Sequence, residues 1–245
     1  MKFNRKRVAI ISENEFLNDV KFALDKFNID CFEIVDEPPF DIIIPYGGDG
    51  TLLLSERNFP GIPKLPIRCF KEYLFDYRIF IVRDTIKKFL SDELLKLEYL
   101  KLECKSEQFN FFALNDILLL NQKRTSAIRC RVIINNDIYI DEDIGEGLVI
   151  STSYGSGSYF NSITNCLFHT GIGIAFNNSM KHTSHIIINE HSKIEIKLIR
   201  GPALLTFDNS NDLFSIDLDH AIHISRSLSN TIIYGLKEFR NRKID

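Results

Sequence analysis

The 245-residue chain has no run approaching the ~20 apolar residues that a membrane-spanning helix needs, which argues against a membrane protein or a membrane partner. It has little excess of either charge: 30 Lys plus Arg stand against 33 Asp plus Glu, a net charge of −3. A balance so near neutral argues against a nucleic-acid binder that works by bulk charge. Cysteine is scarce, and its count of five is odd. Cys31, Cys69, Cys104, Cys130 and Cys166 form no CxxC pair, so the reading is free thiols in a reducing compartment. The basic start "MKFNRKRVAIIS" carries an apolar run only from Val8 to Ile11, short of the roughly 7–15 residues of a secretory signal. Repeats, low-complexity tracts and flexible linkers are absent. The expectation is a soluble, cytoplasmic protein.

With 44% hydrophobic residues the chain can build one large core or two smaller ones. Its first third alternates. Arg7–Ile11 reads as a strand. Ser12 and Glu15 read as a capping box before a helix carrying Phe16, Val20, Leu24 and Phe27. Cys31–Val35 and Asp41–Pro45 read as further strands, and Asp84–Lys96 as another helix. This rhythm predicts a parallel sheet with flanking helices. From about Leu97 the period changes to two, in short segments such as Leu97–Cys104, Ile128–Ile134 and Ala203–Phe207. That predicts a β-rich second domain. The expected division is 1–96 for an α/β domain and 97–225 for a β-rich domain, with 226–245 a candidate to pack back on the first. His182/His185 and His220/His223 have HxxH spacing but no obvious third ligand, so no metal site is expected.

One stretch concentrates chemistry: "PYGGDGTLLL", Pro45 to Leu54. It lies between a strand buried on both faces and a run that can open a helix. Glycines let the backbone turn sharply and let a ligand approach, and the helix end attracts an anion. A carboxylate in such a turn repels phosphate unless it serves another purpose. Facing a hydroxyl, Asp49 could accept the proton of an attacking alcohol during phosphoryl transfer. The bland alternative is an Asp-Gly turn that only reverses the chain.

"GGDGT", Gly47–Thr51, resembles the signature shared by NAD kinases, 6-phosphofructokinases and the lipid kinases acting on diacylglycerol and sphingosine. "ALNDILLL", Ala113–Leu120, and "GEGLVISTSYGSGSYFNSI", Gly145–Ile163, resemble two further segments of the NAD kinases, in the right order. "LLTFDNS", Leu204–Ser210, weakly resembles a fourth. The resemblance spans about Arg7 to Ile224. It implies an N-terminal Rossmann-like α/β domain, a C-terminal β-sandwich domain and an active site between them.

The activity so implied is ATP-dependent phosphorylation of NAD on the adenosine-ribose 2′-hydroxyl, with Asp49 as general base. Gly47, Gly48, Gly50 and Thr51 match the turn that handles nucleotide phosphates, with Mg2+ accompanying ATP. Asn115 matches an asparagine that binds dinucleotide hydroxyls, and Asp116 stands where glutamate is usual. Asn donates and accepts while a carboxylate accepts, which suits a ribose diol. Gly155 and Ser156 keep a turn, and a helix opening near Gly157 or Ser158 would aim its N-terminus at the ligand. Tyr159 and Ser162 match positions lining the dinucleotide pocket. Glu146 replaces an aspartate expected near the nicotinamide end. The segment departs from the pattern at Ser153, Tyr154, Gly157 and Ser158 as well, and "IPKLPIRCFKEY" replaces a "G-x-x-GFL" segment. Few lysines or arginines are expected beside GGDGT. The resemblance also implies a homodimer or homotetramer. Two rivals stay open: a lipid kinase sharing GGDGT, and a non-catalytic dinucleotide-binding relative.

Overall fold

The computed structural model describes residues 7–12, 16–27, 31–33, 40–123, 125–218 and 220–241. Along the chain, β1 (Val8–Ile11), α1 (Leu17–Asp25), β2 (Cys31–Glu33), β3 (Ile42–Gly47), α2 (Asp49–Asn58), β4 (Ile67–Arg68) and α3 (Phe75–Leu90) come first. Strands β5 (Lys96–Tyr99), β6 (Leu102–Lys105), β7 (Asn110–Ala113), β8 (Asp116–Asn121), β9 (Ile128–Ile134), β10 (Asp137–Gly145) and β11 (Gly147–Thr152) follow. Helix α4 (Tyr159–Thr164) precedes β12 (Ile172–Asn177), β13 (Ile186–Ile188), β14 (Ile194–Arg200), β15 (Ala203–Phe207), β16 (Phe214–Ile216) and β17 (Ala221–Arg226). The last elements are β18 (Thr231–Tyr234) and α5 (Leu236–Asn241). The chain divides into two compact units, one of Met1–Glu98 with Thr231–Asp245 and one of Tyr99–Asn230.

The first unit holds a parallel sheet in the order β2-β1-β3-β4. Both faces of its central strands are covered, as a parallel sheet requires. Val8, Ile10, Ile42 and Ile44 pack with Val20, Leu24, Val82 and Ile86 from α1 and α3. Ala9, Ile11 and Ile43 pack with Phe40 on the opposite face. Lys64 bridges Ile43 and Ile233 in parallel, tying the C-terminal strand β18 to this unit.

The second unit is a β-sandwich of two antiparallel six-stranded sheets, β10-β9-β14-β17-β6-β7 and β13-β12-β11-β8-β15-β16. One apolar cluster takes residues from both: Leu102, Cys104, Val132, Ile196 and Ile222 meet Ile117, Leu119, Leu148, Ile150 and Leu205. Burial alternates along β9 and β14, the period-two pattern of strands with one face inward. β11 is buried throughout because it has a second cover. Its Val149 packs outward against Phe160 of α4, with Phe168 and Ala175. The α/β plus β-sandwich class therefore matches the expectation.

Several element boundaries differ from the sequence reading. The helix expected at Asp84–Lys96 begins at Phe75 and stops at Leu90. Ser91 caps it and Asp92 takes a left-handed φ of 61°, which turns the chain before β5. The single segment expected over Leu97–Cys104 is two strands, β5 and β6. Strands β4, β7, β11, β12, β13 and β18 are not among the elements read from the sequence. Glu15 of the expected capping box, and Ile34 and Val35 of the second strand, lie outside the described residues. Among the described residues no helix is long and apolar enough to cross a membrane.

Candidate active site

Two groups of residues carry the candidate chemistry, one in each unit. In the first, β3 runs on to Gly47 and α2 begins at Asp49, two residues earlier than the Thr51 start expected from sequence. Gly48 is the extended N-cap, and its carbonyl accepts the N–H of Thr51 at 3.1 Å and of Leu52 at 3.3 Å. A Cβ on Gly47 would lie 2.4 Å from Thr51 Oγ1, so a glycine there lets the helix start against the strand end. Asp49 is thus the first helical residue, where a carboxylate is favoured by the unpaired N–H groups of the first turn.

One fixed cation stands at the turn. β4 pairs with β3 so that Arg68 lies opposite Gly47. Arg68 Nη1 donates to Asp49 Oδ2 at 2.9 Å. Its Nε donates to the Phe239 carbonyl at 3.3 Å, and the guanidinium lies 4.0 Å from the centre of the Phe239 ring. Arg68 is 12% exposed and Asp49 52% exposed, so a held cation orients a carboxylate that stays open to a ligand. No local sequence signal marks Arg68; only the register of a two-residue strand brings it to the turn.

In the second unit, Asn115 precedes β8 and Asp116 opens it. Asp208, at the end of β15, accepts three consecutive backbone N–H groups. Leu114 donates to its Oδ2 at 2.6 Å, and Asn115 and Asp116 donate to its Oδ1 at 2.6 and 3.2 Å. A carboxylate binding successive amides clamps their conformation. Asp116 is 4% exposed, and it accepts a hydrogen bond from Asn115 Nδ2 at 3.0 Å. Burial, reinforced by the Asp208 charge and opposed by the Asn115 amide, pushes the Asp116 carboxyl up to about 7. Asp116 therefore sits behind Asn115 and holds its amide. Asp208 was visible only as part of a weak resemblance, with no role attached.

The Gly145–Ile163 segment folds against this pair. The Asn115 carbonyl accepts the Thr152 N–H at 3.0 Å. A Cβ on Gly155 would come within 2.1 Å of that carbonyl oxygen, which explains a glycine there. Ser158 Oγ donates to Asn115 Oδ1 at 3.4 Å and is the N-cap of α4. Tyr159 is partly exposed and its hydroxyl accepts from Asn177 Nδ2 at 3.2 Å. Ser162 Oγ donates back to the Tyr159 carbonyl at 2.7 Å. Glu146 Oε1 accepts from Asn178 Nδ2 at 3.2 Å. Ser156 is buried, its hydroxyl 3.0 Å from the carbonyls of Ser153 and Phe168. It serves the turn itself. Tyr154, which replaces a small residue of the pattern, is 3% exposed and packs edge-on against Tyr99 at 5.2 Å.

Among the described residues no group of three or more His, Cys, Asp or Glu side chains could hold a metal ion. His220 and His223 line a cavity of about 630 Å3 with Lys105, Ser106 and Asn110, apart from Asn115 and Asp116.

Residues 114–235 match the family model described as "ATP-NAD kinase C-terminal domain". Solved structures share the fold. An NAD kinase from Archaeoglobus fulgidus in complex with ATP aligns with a TM-score of 0.75 at 19% identity, over 96% of each chain. Yeast NADH kinase complexed with NADH aligns at 0.77 and 15% identity, over 98% of this chain and 89% of that one. In sequence, the NAD kinase of Streptococcus thermophilus is 28% identical over 228 residues, 83% of this chain and 75% of the relative. The NAD kinase of Sulfurisphaera tokodaii is 30% identical over 172 residues, 68% of this chain and 67% of the relative. With a match of that extent added to the matched C-terminal domain, the chain belongs to the NAD kinase family.

Proposed function

We propose that this kinase transfers a phosphoryl group from ATP to the 2′-hydroxyl of the adenosine ribose of NAD, giving NADP. The observation that carries the mechanism is the placement of Asp49. It opens α2 at the end of a buried parallel strand, half-exposed, with Oδ2 bound to Arg68. Its other oxygen can accept the proton of the attacking hydroxyl as a general base. The oxygen of the acceptor then attacks the γ-phosphorus, the bond to the ADP oxygen breaks, and ADP leaves. Mg2+ enters as part of the ATP substrate.

Gly47, Gly48, Gly50 and Thr51 form the turn assigned to the nucleotide phosphates, which the first-turn N–H groups of α2 suit. Asn115 is assigned to the ribose hydroxyls. Its amide is held from behind by Asp116 and its carbonyl oxygen by Ser158, so the side chain is set before the ligand arrives. Asp116 and Asp208 are positioning residues here. Tyr159, with an exposed ring, suits a wall for a base or the nicotinamide, and Glu146 and Ser162 lie on the same segment. Gly155 and Ser156 shape the turn between them.

NADP formation from ATP, Mg2+ and NAD by the purified protein tests the reading, with Asp49→Asn beside it. Expected are turnover by the wild type, its loss by a factor of at least roughly 100 in the variant, and unchanged NAD affinity by calorimetry. NAD binding without wild-type turnover would instead support a non-catalytic dinucleotide-binding protein.

A further inference from the structure

The geometry points to a two-fold self-association face on α3, through which a second copy of this chain packs antiparallel along Asp76, Phe80, Arg83 and Lys87. The proposal rests on the exposed side chains of α3 and does not depend on the chemistry of Asp49.

A water-soluble helix normally buries its apolar stripe and exposes charge. α3 does bury Ile79, Val82, Ile86 and Phe89. Its outer side nonetheless exposes Phe80 at 61% and Tyr77 at 47%, with Phe75 at 48% beside them and Phe22 of α1 at 54%. Phe22 and Phe75 lie 6.1 Å apart, and Tyr77 stacks on Phe80 at 6.3 Å. The Phe22, Phe75, Phe80 and Arg83 side chains line a cleft of about 280 Å3. An aromatic patch rimmed by charge is the composition of an interface core.

The charges choose the partner. At 100° per residue, positions 76, 80, 83 and 87 fall within about 60° of one another, one stripe along the helix. A two-fold axis midway along the stripe brings each Asp76 to the Lys87 of the other copy. The same operation brings each Phe80 to the other copy's Arg83. Every member of the stripe then meets a complementary one, which is the self-complementarity an isologous interface requires. Among the described residues neither Asp76 nor Lys87 has an ion-pair partner, whereas the neighbouring Asp84 and Lys88 pair with each other. Arg83 Nε is buried without a hydrogen bond, and the Arg83 guanidinium lies 5.3 Å from the centre of the Phe22 ring. A second aromatic ring on its open side completes a cation–π sandwich.

Sedimentation velocity on the full chain over a concentration series tests the proposal. The wild type is expected at twice, or four times, the 28.3 kDa chain mass. Phe80→Glu should halve the assembly. Asp76→Lys and Lys87→Asp should each weaken association by roughly tenfold. Asp76→Lys combined with Lys87→Asp should restore it to within about threefold of wild type, because the two ion pairs re-form reversed. A monomeric wild type would refute the face, as would an assembly indifferent to Phe80→Glu. Failure of the double exchange to recover association would refute the antiparallel register. NADP formation and far-UV circular dichroism on the same samples separate these outcomes from failure of the kinase reading or of folding.

Discussion

Replacing Asp116 by Asn should remove a pH dependence that the wild-type fold carries. The carboxyl is buried, and the adjacent Asp208 charge adds to the burial, so it titrates near 7 in the native state. In the unfolded chain it titrates at about 3.9. Between those values the native state holds a proton that the unfolded state has released. Stability then falls as pH rises, by up to about 1.4 kcal/mol per pH unit. Across the window of roughly three units the loss approaches 4 kcal/mol, complete once the pH has passed through the native value. The amide of Asp116→Asn carries no titrating proton, and its oxygen can still accept from Asn115. Urea unfolding of both proteins between about pH 5 and pH 8 measures the difference. Far-UV circular dichroism is the suitable signal, since the chain has no tryptophan. The variant should gain about 3 kcal/mol on the wild type across that range, all other titrating groups being shared. A difference constant to within about 1 kcal/mol would refute the placement of Asp116 as a buried, carboxylate-facing acid.

Two further outcomes follow from close contacts. Gly155→Ala should cost about 3 kcal/mol, at the upper end of overpacking penalties, because its Cβ would meet the Asn115 carbonyl oxygen at 2.1 Å, and backbone cannot swing aside. Thermal melting should show the loss and calorimetry a parallel weakening of NAD binding. Arg68→Gln should lower kcat at least roughly tenfold with little change in KM for NAD, while an ion pair whose carboxylate is half-exposed contributes at most about 1 kcal/mol to stability. Unchanged kcat would show that Arg68 does not orient Asp49.

Sequence and tertiary structure divided the decisions along a physical line. Whatever depends on residues within a few positions of one another was legible in the chain. Gly47 to Thr51 between an isoleucine run and a leucine run had to be a strand, a sharp turn and a helix start. Period-two segments such as Ile128–Ile134 had to be half-buried strands. The Asp49 carboxylate could be read as chemistry from its place between a strand and a helix start, whereas Gly155 was reached through the resemblance of its segment to the family pattern. Even here the propensity signal blurred at edges, so that α3, rich in aromatic and β-branched residues at its start, was placed nine residues late.

Pairing across the chain was decided only by the fold. Arg68 reaches Asp49 because β4 joins β3 in one register, and Asp208 reaches the amides of Leu114, Asn115 and Asp116 because β15 ends beside the start of β8. Asp208 is 92 residues beyond Asp116 in the chain, and no local pattern encodes such a meeting. The same holds for Tyr154, a departure from the family pattern whose ring packs on Tyr99. A stretch of sequence determines its own turns and periodicity, because those rest on neighbouring dihedral angles and side chains. Which distant charge faces which carboxylate, and which apolar stripe stays uncovered, rests on sheet register and burial, and these exist only once the whole chain has packed.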